Sequence, residues 1–100
     1  MKTENKYQPC PLDTSDIHLP EELLPLMEAV AKNVHETWAS NRMAEGWRYG
    51  EQRDDVRKYH PCLVPYEALS EEERHYDRAT ALATLKQIIK LGFKIENITK

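Results

Sequence analysis

His35, Trp38 and Arg42 follow one another at steps of three and four, with Ala31 one turn earlier, so on a helix they share one edge. An imidazole, a ring that can stack and a guanidinium able to fork onto phosphate are the parts of an anion or nucleotide site. The same residues also suit packing, with Trp38 filling a core and Arg42 lying across it, and a large aromatic on a helix edge is more often used that way. Just downstream, Gly46-Trp47-Arg48-Tyr49-Gly50 alternates two rings around an arginine between glycines. It suits an aromatic loop covering a planar ligand, or a hairpin whose rings cap a small core.

Other candidates are weaker. Paired carboxylates in Arg53-Asp54-Asp55-Val56-Arg57-Lys58 can hold a divalent cation or act as acid and base, but the glycine spacing of a calcium loop is missing. One aspartate capping a turn in an otherwise solvated run is the simpler expectation. His60-Pro61-Cys62 raises zinc and thiol chemistry, yet no C-x-x-C pair is present, and Cys62 reads as a small buried hydrophobe. Arg74 and Arg78 are expected to ion-pair with Asp54, Asp55 or Glu36, or to meet a phosphate. No phosphate loop, dinucleotide fingerprint, nucleophile elbow or metal-binding helix motif appears. The sequence therefore calls for no metal, no cofactor and no catalytic residue.

Two helices must position these groups. The first is expected at about 21–44, with Pro25 in its first turn, an apolar stripe of Leu23, Met27, Val30 and Val34, and Gly46 as its stop. The second is expected at about 71–91. Ser70 followed by Glu73 has capping-box form, glutamates crowd the first turn, and Gly92 sits past the end. Ala81, Leu82, Leu85, Ile88 and Ile89 fall in one arc and should face the first helix. Residues 1–19, rich in proline, read as an extended arm in which Asp13-Thr14-Ser15-Asp16 holds a turn. Residues 46–50 and 60–66 lean towards short strands, and Phe93-Lys94-Ile95 is a candidate third. The fold class expected is mainly α with short β-strands (α+β), two principal packed helices and a small peripheral sheet or hairpin.

At 100 residues and 11.7 kDa the chain suits one domain with one core. Apolar runs are short, which argues against a membrane span, and the polar start is no signal peptide. A net charge of −3 and a pI near 5.8 argue against a nucleic-acid binder working by bulk electrostatics. Cys10 and Cys62 without a secretory signal read as reduced thiols in a cytoplasm.

One ordered string runs through the chain. It comprises Asn33-Val34-His35-Glu36 with Trp38, Ala39 and Arg42, then Gly46-Trp47 with Tyr49-Gly50 and Arg53-Asp54-Asp55, then His60-Pro61-Cys62-Leu63-Val64-Pro65-Tyr66. It continues through Glu71, Glu73, Tyr76-Asp77, Thr84-Leu85-Lys86 and Leu91-Gly92. This string, over about residues 9–95, closely resembles the ryanodine-receptor repeat, or RyR domain. The resemblance implies a single repeat over residues 1–100, with a core at about 9–95 and a flexible start at 1–8, as in free-standing prokaryotic or phage copies. Calcium conduction is not implied. It does imply a nucleotide-binding module in which adenine stacks on Trp38 and phosphate meets Arg42. His60 and the Arg53-Asp54-Asp55 run belong to the same motif.

The resemblance also implies pseudo-twofold pairing, here as a homodimer. The leading expectation is thus a non-enzymatic module binding an adenine-containing nucleotide or similar anion through Trp38, Arg42, His35, Trp47, Tyr49, Arg53 and His60. The alternative is a self-association or protein-interaction module whose tryptophans, tyrosine and arginines anchor an interface. An enzyme using Asp54, Asp55, His60 and Cys62 ranks third.

Overall fold

The computed structural model describes residues 6–99, so the first five positions of the expected flexible start and extended arm lie outside the described residues. From residue 6 the chain runs without regular structure into a 3₁₀ turn, Glu21–Leu23, and then helix α1, Leu24–Ala44. Two short strands follow, β1 (Arg48–Tyr49) and β2 (Tyr59–His60), then a second 3₁₀ turn, Tyr66–Ala68, and helix α2, Glu71–Lys90. Both helices and the small sheet agree with the expected class.

Local chemistry sets the helix ends. Pro25 lies in the first turn of α1, where its missing N–H is one the helix does not use. Ser70 Oγ accepts from the Glu73 N–H at 3.1 Å, and Glu71, Glu72 and Glu73 fill the first turn of α2, where the dipole favours carboxylates. Both helices close with the same device. Gly46 adopts φ 98° and Gly92 φ 97°. Gly46 N–H reaches Met43 O and Trp47 N–H reaches Arg42 O, each at 3.0 Å, while Gly92 N–H reaches Ile89 O and Phe93 N–H reaches Ile88 O. These paired bonds are a Schellman motif, and they need a residue that tolerates left-handed backbone.

α1 and α2 pack along their length around two apolar clusters. Ala31, Tyr66, Leu69 and Ala81 form one; Leu19, Leu23 and Leu85 form the other, flanked by Met27, Leu82, Ile89 and Ile95. The two wholly buried alanines leave room for the helices to approach closely. The arm contributes Leu19, and an ion pair from Lys90 to Asp16 at 2.9 Å ties its turn to the end of α2. Ser15 N–H donates to Asp13 Oδ1 within that turn, as expected of the Asp13–Asp16 stretch.

Three expectations need correction. The expected stripe reaches the core through Leu23, Met27 and Val30, but the buried residues of α1 are Ala31 and His35, and half-buried Val34 lines an outer groove. Of the small sheet or hairpin expected, the sheet is what forms: β1 and β2 are parallel, with Arg48 opposite Tyr59 and Tyr49 opposite His60. Residues 50–58 turn the chain back, helped by an antiparallel bridge from Asp54 to Tyr59 and by Lys58 at φ 63°. Gly50 is required there because a Cβ would sit 2.6 Å from that of Tyr59. Phe93–Ile95 forms no strand, since the Schellman closure turns the exposed Phe93 out of any ladder. Among the described residues no helix is long and apolar enough to cross a membrane.

The third correction concerns ion pairs. Arg78 pairs across the helix interface with Glu28, through Nε to Oε2 at 2.9 Å and a second nitrogen to Oε1 at 3.1 Å; Asp54, Asp55 and Glu36 are not its partners. Tyr66 Oη donates to the same carboxylate at 2.9 Å. Arg74 pairs with Glu71 and donates to the Glu67 carbonyl. The hydrogen bonds from Arg78 hold the Glu28 carboxyl below the usual carboxylate range. Its contribution is therefore present at pH values above the unfolded-state pKa and is lost as the pH falls through the lower, folded one. Thermal unfolding from pH 7 to pH 3 should show Glu28→Gln less stable than the native chain at neutral pH, with the gap closing in acid.

Candidate functional site

The small sheet and the first half of α2 enclose a cleft of about 260 Å³ against α1, lined by His35, Trp38, His60, Cys62, Leu69, Glu73, Tyr76 and Asp77. His35 is 4% exposed and builds the cleft's back wall. Its Nε2–H donates to the Val64 carbonyl at 2.7 Å, which ties α1 to the segment following β2. One turn on, Trp38 lies against His35, ring centroids 5.7 Å apart and nearly parallel. His60 also meets Trp38, edge-on at 4.9 Å. β2 sets His60 in place, and its Nδ1 accepts the Cys62 N–H at 3.0 Å, so the neutral ring carries its proton on Nε2.

A second cluster adjoins the first through His60. Trp47, 7% exposed, has its ring 6.1 Å from that of His60. The guanidinium of Arg42 lies 5.3 Å from the Trp47 centroid and that of Arg53 5.9 Å, both in cation–π range. The closure of α1 creates this arrangement, since its Schellman motif brings Trp47 back over the turn that carries Arg42. Arg42 also reaches Glu45 at 3.5 Å, and Arg53 pairs with Asp55 at 2.7 Å.

The expected site residues thus fall into two groups and a remainder. His35, Trp38 and His60 line one cleft; Arg42, Trp47 and Arg53 stack beside it. Trp47 is a buried support for the two arginines, not an open wall. Tyr49 is 53% exposed on β1 and does not line the cleft. Glu73, Tyr76 and Asp77, which the site reading left out, come from adjacent turns of α2 and share a face at i, i+3 and i+4. That spacing was the available signal, but glutamates in a first turn are read as dipole partners.

The cleft is electrically divided. At one side Arg53 and Arg42 add to the effect of burial in holding the His60 imidazole below its ordinary pKa, so it stays neutral at pH 7. At the other, burial pushes the Asp77 carboxyl up, and neighbouring Glu73 adds to this. Burial also pushes the half-buried Cys62 thiol up, with Glu73 reinforcing it, which keeps the sulfur protonated and a poor nucleophile. Asp54 is occupied by the turn it caps, accepting from Val56 and Arg57 N–H groups at 3.0 Å each, as one aspartate of that run was expected to do.

His35→Ala should lower stability by about 2–4 kcal/mol, because it opens a void and leaves the Val64 carbonyl unpaired. Chemical denaturation measures this, and a loss below about 0.5 kcal/mol would mean that the segment is held some other way.

The family model of the RyR domain matches residues 7–97 of the 100-residue chain, a span that takes in both helices, both strands and every residue of the cleft. The chain belongs to the RyR domain family.

Proposed function

We propose that this protein is a non-enzymatic, cytoplasmic binding module for an adenine-containing nucleotide, with the base in the cleft against Trp38 and the phosphate on Arg42 and Arg53. The observation that carries the reading is the cleft's polarity. The aromatic wall of Trp38, His35 and His60 shares its cleft with the Glu73 and Asp77 carboxylates, and the Arg42 and Arg53 guanidiniums stack on Trp47, which adjoins that wall through His60. A nucleotide has the matching order, with an anionic end, a flat body and an edge bearing an amino group. Stacking on an aromatic side chain is worth about 1–3 kcal/mol per base, enough for Trp38 to dominate the affinity.

The arginines' own partners do not block a phosphate. Both pairs are at the surface, where such bridges contribute roughly 0–1 kcal/mol, so a doubly charged oxyanion competes well with Glu45 and Asp55. Both guanidiniums already lie within cation–π range of Trp47. The groups once considered for catalysis support binding over turnover: Asp54 is tied to backbone N–H groups, Asp55 to Arg53, and the Cys62 thiol is protonated. The reading needs neither metal nor cofactor.

A second reading, self-association, draws on the outer face of α1, where Ala29, Val30, Asn33, Val34 and Thr37 line a shallow groove. A second copy seated there would make the homodimer expected from paired repeats. Sedimentation of native and Val34→Lys proteins tests it, and a dimer dispersed by the substitution is the outcome it expects.

Calorimetric titration tests the nucleotide reading. AMP should bind saturably, and Trp38→Ala should weaken it by about tenfold or more. Arg42→Ala combined with Arg53→Ala should weaken AMP by a similar factor while changing adenosine little. Unchanged AMP affinity in Trp38→Ala would overturn the assignment.

A further inference from the structure

The acidic side of the cleft has chemistry that phosphate recognition does not use. Asp77 projects from α2 into the cleft, half-buried, and among the described residues its carboxylate takes no hydrogen bond or ion pair. Glu73 stands one turn before it and interacts with the Cys62 thiol. His35 spends its Nε2–H on the Val64 carbonyl, so the ring nitrogen it has left for a ligand is Nδ1. This end of the cleft therefore presents acceptors. The nearest ring donor is His60, whose Nδ1 is occupied by the Cys62 N–H and whose remaining polar atom is Nε2–H.

An edge that complements this set must carry an N–H donor beside a ring-nitrogen acceptor. Adenine presents both, in its exocyclic amino group and the adjacent ring nitrogens. Hypoxanthine has the same size and stacks equally well, but places a carbonyl oxygen where adenine has the amino group. A carboxylate facing that oxygen would be left without a donor, and a partly desolvated acceptor without a donor is costly.

We infer that Asp77, supported by Glu73, is the residue that selects the base, accepting a hydrogen bond from the amino group of adenine and rejecting a base with a carbonyl there. This deepens the nucleotide reading and rests on it. It assigns to α2 a specificity role separate from the stacking role of Trp38 and the phosphate role of Arg42 and Arg53. The elevated proton affinity of Asp77 is consistent with a carboxyl kept from water until a donor arrives.

Adenosine, inosine, AMP and IMP titrated into the native protein by calorimetry test the inference. The adenine compound of each pair should bind at least about tenfold tighter, and equally so with and without phosphate, because the choice is made at the base. In Asp77→Asn, whose amide can donate as well as accept, the preference should shrink to within about threefold, with circular dichroism confirming the fold. Trp38→Ala should instead weaken both purines together. Equal binding of adenosine and inosine by the native protein, lost in Trp38→Ala, would overturn the selection role and leave the nucleotide reading standing. A folded Asp77→Asn protein that keeps the full preference would also overturn it. Absence of binding by all four compounds would overturn both.

Discussion

A single buried hydrogen bond, from Nε2–H of His35 to the carbonyl of Val64, joins parts of the chain 29 residues apart. It is the buried member of three polar ties between α1 and the segment after β2, beside Tyr66 to Glu28 and Lys32 to Glu67, and the two prolines of that segment leave it few donors of its own to spend on a sheet. With it, His60 and Cys62 are brought against Trp38, and Tyr66 enters the core between the helices. The imidazole is both a structural tie and the rear wall of the cleft. One residue thereby couples the packing of the helix pair to the shape of the site.

Much of the architecture was legible because it rests on local chemistry. Ser70 with Glu73 marks the start of α2, Gly46 and Gly92 mark where both helices stop, and proline confines residues 60–66 to a short edge. What could not be read depends on distant partners. α1 carries two stripes with helical spacing, and nothing in its own residues says that Ala31 and His35 are the ones fully buried while Val34 is left half-buried beside an outer groove. That choice is made by the small volume of Ala31 facing Ala81 and by the Val64 carbonyl waiting for His35. The partnership of Arg78 with Glu28 is of the same kind, fixed by helix register. Strands of two residues are too short to carry a pattern, so a parallel pair could not be told from a hairpin.

The site was legible in half. Trp38, Arg42 and His60 stood out by type and spacing, since rings and guanidiniums together are unusual on a helix edge and the loop after it. Glu73 and Asp77 did not, because acids at the start of a helix have an ordinary explanation in the dipole and in solvation. Only the fold sets their side of α2 against the aromatic wall. Carboxylates then share the cleft with Tyr76, while the arginines gather on Trp47 beside it.

Amide and indole chemical shifts followed during titration test most directly whether the base and phosphate ends of one ligand occupy these two neighbouring clusters. With adenosine, the account predicts movement of the Trp38 indole N–H and of the Glu73–Asp77 amides. With AMP, it predicts the same set together with the Arg42 and Arg53 side-chain signals. Shifts confined to Ala29–Thr37 on the outer face of α1, or no shifts at ligand concentrations that saturate a millimolar site, would contradict it.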